Sequence, residues 1–127
     1  GGNPVAMATT LATIEYMEKN KVWENAEVQG GKLRTFLESE QKKYPWIGDV
    51  RGMGLMQGME LISTDGKKTP DKNRANAFLN AARKRGLLIG KGGLYGNVIR
   101  ISPHLNVSGE DMSAGCELIS KALADVA

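Results

Sequence analysis

The chain has 127 residues, 41% of them hydrophobic and 24% charged, which allows one globular domain with a real core. No apolar run approaches the roughly 18 residues of a membrane span, and the opening residues lack a signal-peptide pattern, so the cytoplasm is the expected compartment. The single cysteine, Cys116, excludes an internal disulfide framework and argues against a tetrahedral thiolate metal site. The net charge of +3 hides an asymmetry, for nine basic residues face one acid, Asp71, between Lys67 and Arg100, while the rest of the chain holds eight bases and thirteen acids. Such a basic middle can attract a carboxylate, phosphate or nucleic acid, or it can be the solvated face of helices.

Gly1-Gly2-Asn3-Pro4 predicts a loop that delivers Asn3 as N-cap and Pro4 as the first helical residue. Met7, Leu11 and Ile14 then recur at helical spacing to about residue 19. A well-formed helix start with no preceding methionine suggests a piece of a longer chain. A second helix is expected over 22–43, with Trp23, Ala26, Gly30, Leu33 and Leu37 as its buried stripe and Pro45 as its stop. From 49 to 62 the period changes to two. Met53, Leu55, Met59 and Leu61 fall on one face with Gln57 as the exception, and Gly52, Gly54 and Gly58 fall on the other. Three glycines on one face imply either close approach by a backbone or ligand, or a bulged strand under a helix. Asp65-Gly66 marks a turn. A third helix follows, capped by Thr69 with Pro70 at its first position, burying Ala75, Phe78, Leu79 and Ala82 and ending at Gly86. Residues 87–90 and 97–102 read as short strands. Ser108 with Asp111 opens a last helix that buries Met112, Cys116, Ile119 and Leu123. The expected order is α-α-β-α-β-β-α, an α+β fold of two layers with helices on a small, mostly antiparallel three-stranded sheet.

Strand alternation places Ile99 and Ile101 on one face and Arg100 on the other. A guanidinium at the end of a rigid strand can clamp a carboxylate with two parallel hydrogen bonds, or it can serve a structural ion pair. The segment Gly90-Lys91-Gly92-Gly93-Leu94-Tyr95-Gly96 lacks the GxGxxG spacing and leads into a strand, so it offers no helix N-terminus to a phosphate. A loop lining a substrate entrance and a plain hairpin connection both remain open for it. His104, the only histidine, has no partner pattern for nucleophilic catalysis and is expected at the surface or a hinge. The Cys116 thiol is expected to be buried and inert, and no RNP-like aromatic strand supports RNA binding by the basic middle.

Four motifs nonetheless occur together in order: Gly-Gly-Asn-Pro at 1–4, Gly-Asp-Val-Arg-Gly-Met-Gly-Leu-Met at 48–56, Arg-Gly-Leu-Leu at 85–88 and Val-Ile-Arg-Ile-Ser-Pro at 98–103. In these the whole chain resembles the C-terminal small domain of class III pyridoxal-phosphate-dependent aminotransferases, the group with the 4-aminobutyrate, ornithine, alanine–glyoxylate and omega-amino-acid enzymes, whose fold is that of fold-type I. The resemblance implies that residues 1–127 form one domain, with 1–20 as the helix leading from a large domain. It implies that Arg100 receives a substrate carboxylate and that Gly1, Gly2 and Asn3 lie near the cofactor phosphate of a neighbouring subunit in a homodimer. It assigns Arg51 no chemical role. In that family the Schiff-base lysine, the aspartate facing the pyridine nitrogen and the stacking aromatic lie upstream of such a segment. The parent enzyme would therefore use pyridoxal phosphate to move an amino group between an amino or omega-amino acid and an oxo acid. The segment alone would hold no cofactor and no catalytic residue. Its expected partners are the large domain, a second subunit and a small carboxylate, with neither nucleic acid nor membrane. A stand-alone α/β module binding a small anion or a protein is the alternative.

Overall fold

Four helices and four strands follow one another as α1 (Pro4–Asn20), α2 (Val22–Lys43), β1 (Ile47–Met53), β2 (Met56–Leu61), α3 (Lys72–Lys84), β3 (Gly90–Gly92), β4 (Val98–Ile101) and α4 (Gly109–Ala124) in the computed structural model, which describes residues 2–127. The strands form one antiparallel sheet in the order β1-β2-β4-β3. Helices α2 and α3 pack on one face of it, and α4 packs on both of them. The two-layer α+β reading holds, with a fourth strand where three were expected. No helix among the described residues is long and apolar enough to cross a membrane.

The extra strand comes from the segment read as one strand over 49–62. Gly54 takes a φ of +50° between Met53 and Met56, which pair with each other. A positive φ at the first of two loop residues is what a two-residue hairpin needs, and glycine supplies it without strain. The turn resets the alternation. Leu55, Gln57, Met59 and Leu61 stay buried, whereas Met53 is 83% exposed, so its place in the buried stripe is corrected. Gly52 lies opposite the buried Gln57, and Gly58 opposite Arg51. The two glycines thus sit on opposite faces and not together.

Burial follows from these periodicities. Leu33 and Leu37 of α2, Phe78 and Ala82 of α3, and Ala122 and Leu123 of α4 meet Met59, Leu61 and Ile99 of the sheet with almost no exposure. Trp23 is half exposed because the buried stripe of α2 begins one residue earlier, at Val22, next to the left-handed junction residue Lys21. Helix α3 is capped by Asp71 and not by Thr69, the Asp71 Oδ1 accepting from the Arg74 N–H at 2.8 Å. Pro70 is held in an extended bridge to Ile62, and the Thr69 hydroxyl donates to Asp65, so neither is free to start the helix. Strand β3 begins at Gly90, later than the expected 87–90, because its pairing with β4 runs back from the Gly93–Gly96 turn. The caps of the outer helices match expectation: Asn3 accepts from Val5 and Ala6, and Ser108 accepts from Asp111. Asn97 is buried where β4 begins. It donates through Nδ2 to the Leu61 carbonyl at 2.8 Å and accepts from the Leu61 N–H at 2.9 Å, which locks β4 beside β2.

The glycine pattern of the hairpin has a packing cause. A Cβ on Gly30 would lie 2.3 Å from the carbonyl carbon of Gly54, so α2 rests directly on the hairpin turn, backbone against backbone. Close approach by a second backbone thus holds at Gly54, while the bulge at the start of β1, under α2, meets the other reading of that segment. Gly30→Ala should therefore destabilise the fold by about 2–3 kcal/mol, as overpacked cores do. Gly31→Ala, where nothing lies within 4 Å, should be neutral or stabilising by up to about 1 kcal/mol. Urea unfolding of the two variants side by side checks the contact, and equal midpoints would refute it.

Candidate functional site

The face of the sheet away from α2 and α3 is built from alternate residues of all four strands: Asp49, Arg51 and Met53 of β1, Met56, Gly58 and Glu60 of β2, Val98 and Arg100 of β4, and Gly90 and Gly92 of β3. Burial of Ile99 and Ile101 on the opposite side turns Arg100 outward, as the alternation predicts. Arg100 pairs with Gly58 on one side and with Gly90 on the other, so no neighbouring Cβ crowds it. Its guanidinium lies across Gly90, where a Cβ would sit 3.4 Å from Nη2 and 3.5 Å from Nε. Among the described residues it forms no ion pair.

Arg51 contrasts with it. Its Nη1 is 2.6 Å from Asp49 Oδ2 and 2.6 Å from Glu60 Oε2. Its hydrogen bonds to these carboxylates, that to Asp49 foremost, hold the guanidinium charged more firmly than usual. Three basic residues of the middle segment are engaged as Arg51 is. Arg74 donates to Asp71 and to the Val126 carbonyl and lies 4.6 Å above the Trp46 ring. Arg85 grips Asp125 through Nε at 2.8 Å and Nη2 at 2.7 Å. Lys91 points to the helix side of the sheet and donates to Asn76. Of the arginines on the open face, Arg100 is the one with a free fork.

Beside Arg100 lies a groove of about 290 Å³, walled by Leu87 to Gly90, by residues 101–103 and by Met112, Cys116 and Ile119 of α4. Its lining is mainly apolar, with Arg100 and Asp111 as the charged groups. Cys116 is half-buried where full burial was expected, and that burial pushes its thiol pKa up. The glycine-rich segment is a tight hairpin turn with positive φ at Gly93 and Gly96, carrying Leu94 and Tyr95 outward. His104 is exposed, with Nδ1 2.8 Å from Asn106 Oδ1. No group of three His, Cys, Asp or Glu among the described residues could hold a metal.

The loop before α1 is not brought to Arg100. Helix α1 buries no residue and packs chiefly on α2. Gly1 lies outside the described residues. Gly2 has a φ of +75° with open space around it, and the Asn3 amide oxygen is engaged in the helix cap. The sequence reading missed the Asp49–Arg51–Glu60 cluster. Its signal was the opposite charges at 49 and 51 on one strand face, but Glu60 joins them only through the hairpin register.

A model of the Aminotransferase class-III family matches residues 1–123. The chain belongs to this family. It is similar to an alanine–glyoxylate aminotransferase 2 homologue, mitochondrial, of Arabidopsis thaliana, with 42% identity over 87% of the chain and 23% of that protein. It is 36% identical to a 5-aminovalerate aminotransferase of Pseudomonas putida over 99% of the chain and 29% of the relative. A crystal structure of a Bacillus anthracis aminotransferase superimposes with a TM-score of 0.91 at 32% identity, covering 98% of the chain and 29% of that structure. The chain thus spans less than a third of the length of these class III aminotransferases. The burial of Cys116 leads to a measurable consequence here: iodoacetamide should label the native chain at least tenfold more slowly than the urea-unfolded chain, because only the thiolate attacks. Equal rates would show an accessible thiol.

Proposed function

We propose that this segment is the small domain of a pyridoxal-phosphate-dependent aminotransferase that moves an amino group between an amino or omega-amino acid and an oxo acid. The observation that carries it is Arg100, which lies flat on glycine backbone with its fork unpaired on the open sheet face. Two parallel N–H donors on a rigid strand suit a carboxylate. Membership of the class III family supports the amino-transfer chemistry. Bound pyridoxal phosphate supplies the electron sink of that chemistry, while the protein supplies binding and orientation. Within this chain Arg100 fixes one end of the substrate.

Residues 1–20 would join this domain to a large cofactor-binding domain. Val5, Met7, Leu11 and Ile14 of α1 are exposed, and an apolar helix stripe of this kind is stable only when covered. We place the Gly1–Asn3 loop near the cofactor phosphate of a second subunit, reached through the backbone at Gly2, with Asn3 holding the helix start. The isolated segment would be inactive, and the assembled enzyme cytoplasmic.

Arg100→Lys in an intact enzyme carrying this segment should raise KM for carboxylate substrates about tenfold, the equivalent of 1.4 kcal/mol. Amines without a carboxylate should be affected less than twofold, by order of magnitude. Equal changes for both would reject the assignment of Arg100. For the 127-residue chain alone, an absorbance titration with pyridoxal phosphate should give no stoichiometric attachment. Borohydride trapping of the cofactor on one particular lysine would overturn the reading of an inactive segment.

A further inference from the structure

The open sheet face contains an internal competitor for Arg100. Arg51 on β1 and Arg100 on β4 both pair with Gly58 of β2, one on each side. Glu60, two residues further along β2, lies opposite Asp49 on one side and Val98 on the other. Glu60 therefore stands in the same diagonal register relation to both arginines, and diagonal neighbours of this kind are within reach of long side chains. Gly58 places no side chain between them. Glu60 nevertheless binds Arg51, at 2.6 Å.

The difference lies in the residue next to each arginine. Asp49 precedes Arg51 by two positions on β1 and binds the same guanidinium nitrogen at 2.6 Å. The matching position on β4 is Val98, which offers Arg100 nothing. Asp49 plants the Arg51 side chain, and Arg51 then holds Glu60. Arg100 leans the other way, over Gly90.

We propose that Arg51 is a positioning residue for the carboxylate site: by holding Glu60 against β1, it prevents that side chain from neutralising Arg100. This rests on the reading of Arg100 as a carboxylate anchor, but its structural half is testable without any ligand. Without Arg51, Glu60 swings to the one guanidinium left on the face.

The experiment is an NMR titration of the full 127-residue chain with glutarate, following the Arg100 Nε–Hε resonance, assigned through R100K. Wild-type chain should bind with a Kd on the order of tens of millimolar, as a charge-assisted pair does. R51M should shift that resonance before any ligand is added and weaken glutarate binding about threefold to fivefold, the worth of an exposed ion pair. R51M/E60Q should restore both, and R51K, which keeps a cation beside Glu60, should stay near wild type. An unshifted Arg100 resonance in R51M would overturn the proposal. A wild-type chain blind to glutarate, with the R51M shift intact, would instead sink the carboxylate reading and leave Glu60 under the control of Arg51. E60Q alone covers the event that R51M does not fold. It should leave affinity within about twofold, whereas tightening of about fivefold would mean that Glu60 already occupies Arg100 and would refute the proposal.

Discussion

Burial of Ile99 and Ile101 on the helix side of β4 decides where Arg100 goes, because successive side chains of a strand leave opposite faces. A register slip of one residue would put the guanidinium into the core and two isoleucines in water, a double penalty that pins the strand. Asn97 reinforces the register through its two hydrogen bonds to Leu61 at the start of the strand. Arg100 thus stands on an inner strand of the sheet, with β2 on one side and β3 on the other.

Glycine does two separate jobs around that strand. At the hairpin turn, Gly54 supplies a positive φ, and Gly30 of α2 lets the helix settle onto the turn without a side chain between them. On the open face, Gly58 and Gly90 flank Arg100 and leave its guanidinium uncrowded. The first job concerns packing and the second access, yet in the sequence they look alike.

Three of the nine basic residues of the middle segment, Arg74, Arg85 and Lys91, tie elements of the fold together. Arg74 bridges the start of α3 to the chain end, and Arg85 ties the end of α3 to the end of α4. Arg51 is held between two carboxylates on the sheet. What remains on that face is one unpaired arginine, and the apolar groove next to its strand is walled by α4 on the helix side of the sheet. The apolar residues Val5, Met7, Leu11 and Ile14 of α1 are likewise exposed.

Local periodicity and capping were sufficient to read much of this from sequence. The caps at Asn3 and Ser108, the buried stripe of Leu33 and Leu37, and the outward turn of Arg100 each depend on residues within one turn of helix or a few strand positions. The family could be read because its four motifs recur in order along the whole chain. Contacts between distant segments could not be read this way. The hairpin at Gly54 restarted the strand alternation and displaced Met53. The pairing of Pro70 with Ile62 moved the α3 cap to Asp71. The partnership of Glu60 with Arg51, which leaves Arg100 free, depends on strand register and turn geometry. Those are set by packing α2 against the sheet, and no local spacing encodes them.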